Sequence, residues 1–184
     1  MKRAFDIVIS GAAIIALGPL ILALMAWIKL DSPGPALFRQ TRIGRGGIPF
    51  EILKLRSMVT DAEMQGGYVT QVADPRITRA GALVRRTSLD ELPQFFNVLR
   101  GDMSLVGPRP DTPMQESNYA SQDWQNRHQV RPGITGLAQA RLRSSATKEQ
   151  RLSLDLEYAA DATMRRDIII LFETVRTLFT RETV

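Results

Sequence analysis

Between Ile7 and Ile28 the chain carries 22 consecutive residues without a formal charge, bracketed by Lys2, Arg3 and Asp6 before and by Lys29 and Asp31 after. A hydrocarbon core needs about 20 apolar residues to be crossed by a helix, so this run reaches. It constrains the fold more than any other feature, because backbone polar groups in lipid must be satisfied within the segment itself. A cleaved signal peptide fits poorly: the run ends in Trp27 and leads directly into Lys29, with no small-residue cleavage site. The segment is expected to be retained.

Gly18-Pro19 stands at the centre of the run. Proline removes one helical hydrogen bond and clashes with the preceding turn, so a break is expected there. Each half is then about eleven residues, roughly 16 Å long, against a hydrocarbon core of about 30 Å. Three arrangements remain: crossing with a kink, re-entry with a bend at Gly18-Pro19 and exit on the face of entry, or burial as a hairpin in a soluble core. Re-entry is preferred because it leaves both basic ends on the cytoplasmic side.

The 184 residues are 44% apolar, which suits one compact domain plus an appendage, divided here as 1–31 and 32–184. A net charge of +5, carried by twenty arginines against four lysines, favours an anionic partner. Charge alone does not separate nucleic acid, anionic lipid and a nucleotide substrate. The absence of cysteine excludes disulfides, thiolate nucleophiles and thiolate metal sites.

Ser32-Pro33-Gly34-Pro35 ends the apolar helix. Strands are predicted over Ala36 to Ile43 and Phe50 to Met58, joined through Gly44-Arg45-Gly46-Gly47 as a hairpin. Alternation puts Lys54 and Arg56 on one face, opposite Leu53 and Leu55. Residues 59–75 read as a loop bordering a ligand, and helices are predicted over Ala80 to Arg86, Leu92 to Arg100 and Asp167 to Phe179. In the second of these, Leu92, Phe95, Phe96 and Leu99 form the apolar stripe. The fold class is α+β: a re-entrant membrane helix, a small hairpin sheet and several helices in a membrane-seated domain.

Ser88-Leu89-Asp90-Glu91-Leu92-Pro93-Gln94 sets two adjacent carboxylates in this arginine-rich chain. A carboxylate can attack phosphorus or hold a divalent cation, and planar arginine forks bind phosphoryl oxygens in pairs. The competing reading is helix capping, either a box from Ser88 to Glu91 or Asp90 as the N-cap, which puts Pro93 in the first turn. Gly107-Pro108-Arg109-Pro110 presents Arg109 between two prolines, a rigid setting suited to phosphate. Arg131-Pro132-Gly133-Ile134-Thr135-Gly136 is a second rigid basic turn, and His128, the only histidine, is read as structural.

These segments together resemble the bacterial sugar transferases, the small monotopic polyprenyl-phosphate phosphoglycosyl transferases. The resemblance is carried by KRAFD at 2–6, SPGPALFRQTRIGRGG at 32–47, KLRSM at 54–58, DPRITRAG at 74–81, RRTSLDELPQFFNVLRGDMSLVGPRP at 85–110 and RPGITGLAQ at 131–139. It implies that Asp90 attacks the β-phosphorus of a UDP-sugar and releases UMP, and that polyprenyl phosphate then takes the phosphosugar. It implies Mg²⁺ as cofactor with Glu91 as its ligand, and Arg85 and Arg109 at the phosphates, with Lys54 and Arg56 as further candidates. It also implies a helix break at Gly18 and Pro19 and a catalytic domain on the cytoplasmic face of the bacterial inner membrane. The partners are then donor, lipid acceptor and bilayer, without nucleic acid, and self-association stays open. Departures are Ala140-Arg141-Leu142-Arg143 where many relatives have an Asn-Gly-Arg element, and Leu55 where phenylalanine is frequent. The other function classes are a basic lipid- or nucleic-acid-binding module without chemistry and a hydrolase that uses water as acceptor.

Overall fold

The computed structural model describes residues 1–66, 74–142 and 147–179. Arg143 and residues 67–73 of the expected ligand-bordering loop lie outside these; the start of that loop forms a short helix, α2 (Ala62–Gly66). The chain opens with α1 (Lys2–Asp31), followed by a hairpin of β1 (Leu37–Ile43) and β2 (Pro49–Leu55). Helices α3 (Arg79–Arg86) and α4 (Gln94–Arg100) come next, then β3 (Ser104–Val106) and α5 (Ser121–Arg127). The remaining elements are β4 (Gly133–Thr135), α6 (Leu137–Leu142), α7 (Lys148–Ala160) and α8 (Met164–Phe179). The class is α+β, as expected.

The hairpin forms where turn chemistry puts it. Gly46 and Gly47, at φ +71° and +78°, take left-handed conformations that cost residues with a Cβ, and the antiparallel register runs from Leu37 opposite Leu55 to Ile43 opposite Pro49. A second sheet was not anticipated: β3 and β4 pair in parallel, Ser104 opposite Gly133 and Val106 opposite Thr135. Three-residue strands flanked by proline and glycine have too little alternation to be seen in sequence. Close backbone approach fixes the pair, since a methyl group added to Gly107 would stand 2.2 Å from the Arg131 carbonyl oxygen.

Helix α1 is continuous through Gly18-Pro19 and is not divided into two helices. Proline deprives the Ile15 carbonyl of its donor, and one missing rung leaves the turns on both sides hydrogen-bonded. Ile21, Leu24 and Ile28 pack with Ala36, Leu55, Ala80 and Val84, each large side chain contributing roughly 1.5–3 kcal/mol. Elsewhere the helix presents apolar side chains outward, including Ile15 at 81% and Leu22 at 67% exposure, and only 17% of its most apolar stretch is buried. That exposure does not fit a helix buried in a soluble core, and an exposed apolar surface of this kind points to association with a membrane.

Both ends of α1 are tied to the same globular body. At the start, Lys2 pairs with Asp167 and reaches the Tyr158 hydroxyl at 3.3 Å and the Val106 carbonyl at 3.2 Å. Buried Asp6 accepts from Ser104 Oγ at 2.9 Å and from the Leu105 amide at 3.1 Å. At the far end, Asp31 Oδ2 accepts from the Ala80 amide at 2.9 Å, while Arg56 donates to the carbonyls of Ser32 (2.8 Å) and Pro33 (2.6 Å). Arg56 also reaches the Ile28 carbonyl of the last turn at 3.4 Å, so one buried guanidinium serves both the helix end and the two carbonyls that follow it.

The buried face of α4 also differs from the expected stripe. Gln94, Asn97 and Val98 are buried while Phe96 is 40% exposed. Asn97 accepts from the Leu53 amide at 2.9 Å and donates to the Glu51 carbonyl at 2.7 Å, so a polar side chain joins α4 to β2. Apolar periodicity does not register a buried amide whose hydrogen bonds are all made.

Candidate active site

Neither capping arrangement forms at the acidic pair. Ser88 is left-handed at φ +58° with no side-chain cap, Leu89–Glu91 make a single 3-10 turn, and α4 begins after Pro93. The turn sits between β2 and α3, which delivers Lys54 from the strand and Arg85 from the helix beside the carboxylates. Arg109 arrives from the loop after β3.

The two acids are treated differently. Glu91 Oε1 accepts from Lys54 Nζ at 3.0 Å and from Arg109 Nη1 at 3.3 Å, whereas Asp90 has no ion pair among the described residues. Burial alone would raise the Glu91 carboxyl, yet Arg109 and Lys54 outweigh it and hold the group below its ordinary 4.5. Burial pushes the Asp90 carboxyl above its ordinary 3.8, with Glu91 adding to the effect and Lys54, its own backbone amide and Arg85 opposing it. Burial likewise lowers the Lys54 ammonium; Arg109 acts in the same direction, and Glu91 and Asp90 oppose. The result is one neutralised carboxylate beside one that is poorly solvated and unpaired. An unpaired, desolvated oxygen is the better nucleophile, and a carboxylate with a second oxygen to spare is the better ligand for a hard cation.

Arg109 borders two spaces. One is a cavity of about 10 Å³, room for about one water, against Lys54, Glu91 and Gln94. The other is a groove of about 390 Å³ lined by Arg42, Tyr119, Arg127, Lys148 and Arg151. That volume falls in the range of small-molecule sites. Among the described residues no cluster of three acids or histidines could hold a metal. A carboxylate such as Glu91 does fit Mg²⁺, which takes one or two protein carboxylates and fills its shell with water and substrate phosphate.

Of the six candidates, the structure brings together Asp90, Glu91, Lys54 and Arg109, with Arg85 close enough to act on Asp90. Arg56 is not among them: it is 4% exposed and its donors go to the end of α1. Alternation assigned it the face of Lys54, but β2 ends at Leu55, so the pattern no longer applies at position 56. Sequence reasoning missed Gln94, which is 2% exposed against the small cavity, and the groove residues Arg42, Tyr119, Arg127 and Arg151. Only the excess of arginine hinted at the groove. His128 is structural, with Nδ1 2.7 Å from the Trp124 carbonyl oxygen, and burial lowers its pKa.

A family profile described as bacterial sugar transferase matches residues 1–181. The chain is 44% identical over 188 residues to a UDP-glucose:undecaprenyl-phosphate glucose-1-phosphate transferase of Caulobacter vibrioides, covering 98% of this chain and 70% of that protein. It is 42% identical over 185 residues to a UDP-N-acetylgalactosamine-undecaprenyl-phosphate N-acetylgalactosaminephosphotransferase of Aeromonas hydrophila, covering 98% of this chain and 44% of that protein. It is 44% identical over 192 residues to an exopolysaccharide production protein of Rhizobium leguminosarum bv. phaseoli, covering 98% of this chain and 96% of that one. The first two are named for different sugars, so similarity at this level leaves the donor open. A profile match over nearly the whole length shows the family, and the chain belongs to the bacterial sugar transferases.

Proposed function

We propose that this chain transfers a phosphosugar from a UDP-sugar to undecaprenyl phosphate or a similar polyprenyl phosphate, with UMP as the first product. An Asp90 oxygen attacks the β-phosphorus, the bond to the UMP oxygen breaks, and UMP leaves with the electron pair. A phosphate oxygen of the lipid then attacks the same phosphorus and expels the Asp90 carboxylate, giving a polyprenyl-diphospho-sugar. The observation that carries this reading is the asymmetry of the pair: Glu91 is held by Lys54 and Arg109 while Asp90 has no ion pair among the described residues. Two displacements at one phosphorus need a nucleophile that returns as a leaving group, which a carboxylate does and water does not.

Arg109 and Lys54 neutralise the diphosphate as charge shifts to the leaving oxygen, and Arg85 lies on the Asp90 side. The groove beyond Arg109 has the volume and basic lining for the nucleotide half of the donor. Glu91 is the residue that would hold Mg²⁺, whose chemistry here would be charge neutralisation on phosphoryl oxygens. Binding of α1 by both its ends to one body supports re-entry, since a straight crossing would carry one end to the far side. The exposed stripe Ile168, Ile169, Phe172 and Val175 on α8 suits an interfacial helix, with the domain on the cytoplasmic face of the inner membrane.

The test incubates the full chain in lipid nanodiscs with Mg²⁺ and a panel of UDP-sugars, then quenches and measures intact mass. The expected result is one phosphosugar adduct at Asp90, UMP release, and loss of both in Asp90→Asn and after chelation. An adduct that survives Asp90→Asn, or brisk product formation without one, rejects the reading. For topology, labelling of a cysteine introduced at position 2 from the periplasmic side would reject re-entry.

A further inference from the structure

Arg127, the last residue of α5, borders the groove but is 3% exposed, and no step of the reaction above is assigned to it. Its guanidinium reaches three groups at once. It pairs with Asp111 Oδ2, donates to Asp155 Oδ2 from Nε at 3.0 Å and Nη2 at 2.8 Å, and donates from Nη2 to the Arg109 carbonyl oxygen at 2.7 Å. One buried cation between two buried carboxylates is weak evidence of a gain in stability, because apolar residues of similar volume often do as well or better. Such an arrangement fixes geometry.

What it fixes is the loop that presents Arg109. Four successive carbonyls there accept hydrogen bonds from three elements: Pro108 from the Gly133 amide at 2.9 Å, Arg109 from Arg127, Pro110 from Arg42 Nη1 at 3.0 Å and Asp111 from the Ile43 amide at 2.9 Å. The Arg109 side chain is nevertheless 45% exposed and reaches Glu91 across the cavity. The other anchor of Arg127, Asp155, lies on α7, whose Lys148 and Arg151 line the groove along with Arg109. Arg127 thus ties the Arg109 loop directly to α7.

We propose that Arg127 is a positioning residue with two effects. Through the Arg109 carbonyl it sets where that guanidinium stands between Glu91 and the groove, and through Asp155 it sets the width of the groove. The inference rests on the donor reading above. Arg127→Lys keeps the charge, but one ammonium cannot span Asp155 and the Arg109 carbonyl with a fixed fork. Asp155→Asn instead leaves the bond to Arg109 in place and weakens only the hold on α7.

The test measures UMP release by the full chain in nanodiscs, using a UDP-sugar that labels the unaltered protein. Arg127→Lys is expected to lower kcat about tenfold, and to change kcat less than about twofold when Arg109 is already alanine, while the rise in KM through Asp155 remains. Asp155→Asn is expected to raise KM for the donor about threefold or more with kcat within about twofold. The inference is overturned if the Arg127→Lys loss is the same with and without Arg109, or if Asp155→Asn lowers kcat as Arg127→Lys does. Should Arg127→Lys fail to fold, the kcat-against-KM split in Asp155→Asn decides alone. Amide hydrogen exchange without substrate separates this inference from the donor reading: Arg127→Lys should speed exchange at the Ile43 and Gly133 amides, which hold the same loop, and Asp155→Asn should not. Unchanged exchange in Arg127→Lys overturns the inference even if the chain turns over no UDP-sugar.

Discussion

Asn97→Ala should destabilise this protein more than any substitution of a neutral polar residue outside a core would suggest. Asn97 is fully buried, accepts from the Leu53 amide at 2.9 Å and donates to the Glu51 carbonyl at 2.7 Å and to Asp102 Oδ2 at 3.2 Å. Losing three such bonds costs about 1 kcal/mol each, and the Leu53 amide, left buried without an acceptor, adds about 1 kcal/mol, for a total of about 4 kcal/mol. For a domain of this size each kcal/mol moves the midpoint by about 2–4 °C, so the transition should fall by about 8–16 °C. Because Asn97 does not ionise, the drop should be similar at pH 6 and pH 8. Tryptophan fluorescence during heating in detergent micelles measures it, with Trp124, at 8% exposure, as a core reporter. A shift below about 2 °C would refute the claim that this amide holds β2, and with it Lys54, against α4.

Three further outcomes follow from the same geometry. Burial raises the Asp90 carboxyl, so the folded state binds that proton more tightly than the unfolded chain, and stability declines as pH rises from about 3.8 through the raised value. Asp90→Asn should therefore raise the melting midpoint at pH 7 while removing turnover; a lowered midpoint would contradict the assigned burial. Lys54 is the strongest influence holding the Asp90 pKa down, so Lys54→Met should move the acid limb of the pH profile of UMP release to higher pH. A limb that stays put or moves down would sink the claim. Gly34→Ala should destabilise the seat of α1, because position 34 has φ +114° and an added methyl would lie 2.3 Å from Arg56 Nη1; equal midpoints by thermal unfolding would show that the Arg56 clamp is loose.

Several elements were legible because their signals are local. The apolar run of α1, the glycines of the hairpin turn and the carboxylate pair each depend on residues adjacent in sequence, and β1, β2, α3 and α8 fall close to their expected places. The unread parts depend on distant partners. The parallel pair β3 and β4 joins residues about thirty positions apart, Asn97 buries an amide against a strand over forty positions away, and Arg56 leaves the phosphate candidates because the end of α1 needs donors.

By itself the sequence determined an apolar segment long enough to reach across a bilayer, an α+β domain, and an acidic pair set among arginines, since chain length, side-chain period and turn chemistry are written residue by residue. Only the tertiary structure decided which of two adjacent acids would be neutralised. Glu91 meets Lys54 from one strand and Arg109 from a distant loop, while Asp90, half-buried beside it, has no ion pair among the described residues. That division arises from Coulomb attraction and lost hydration acting over a few ångströms, between groups that only folding brings together.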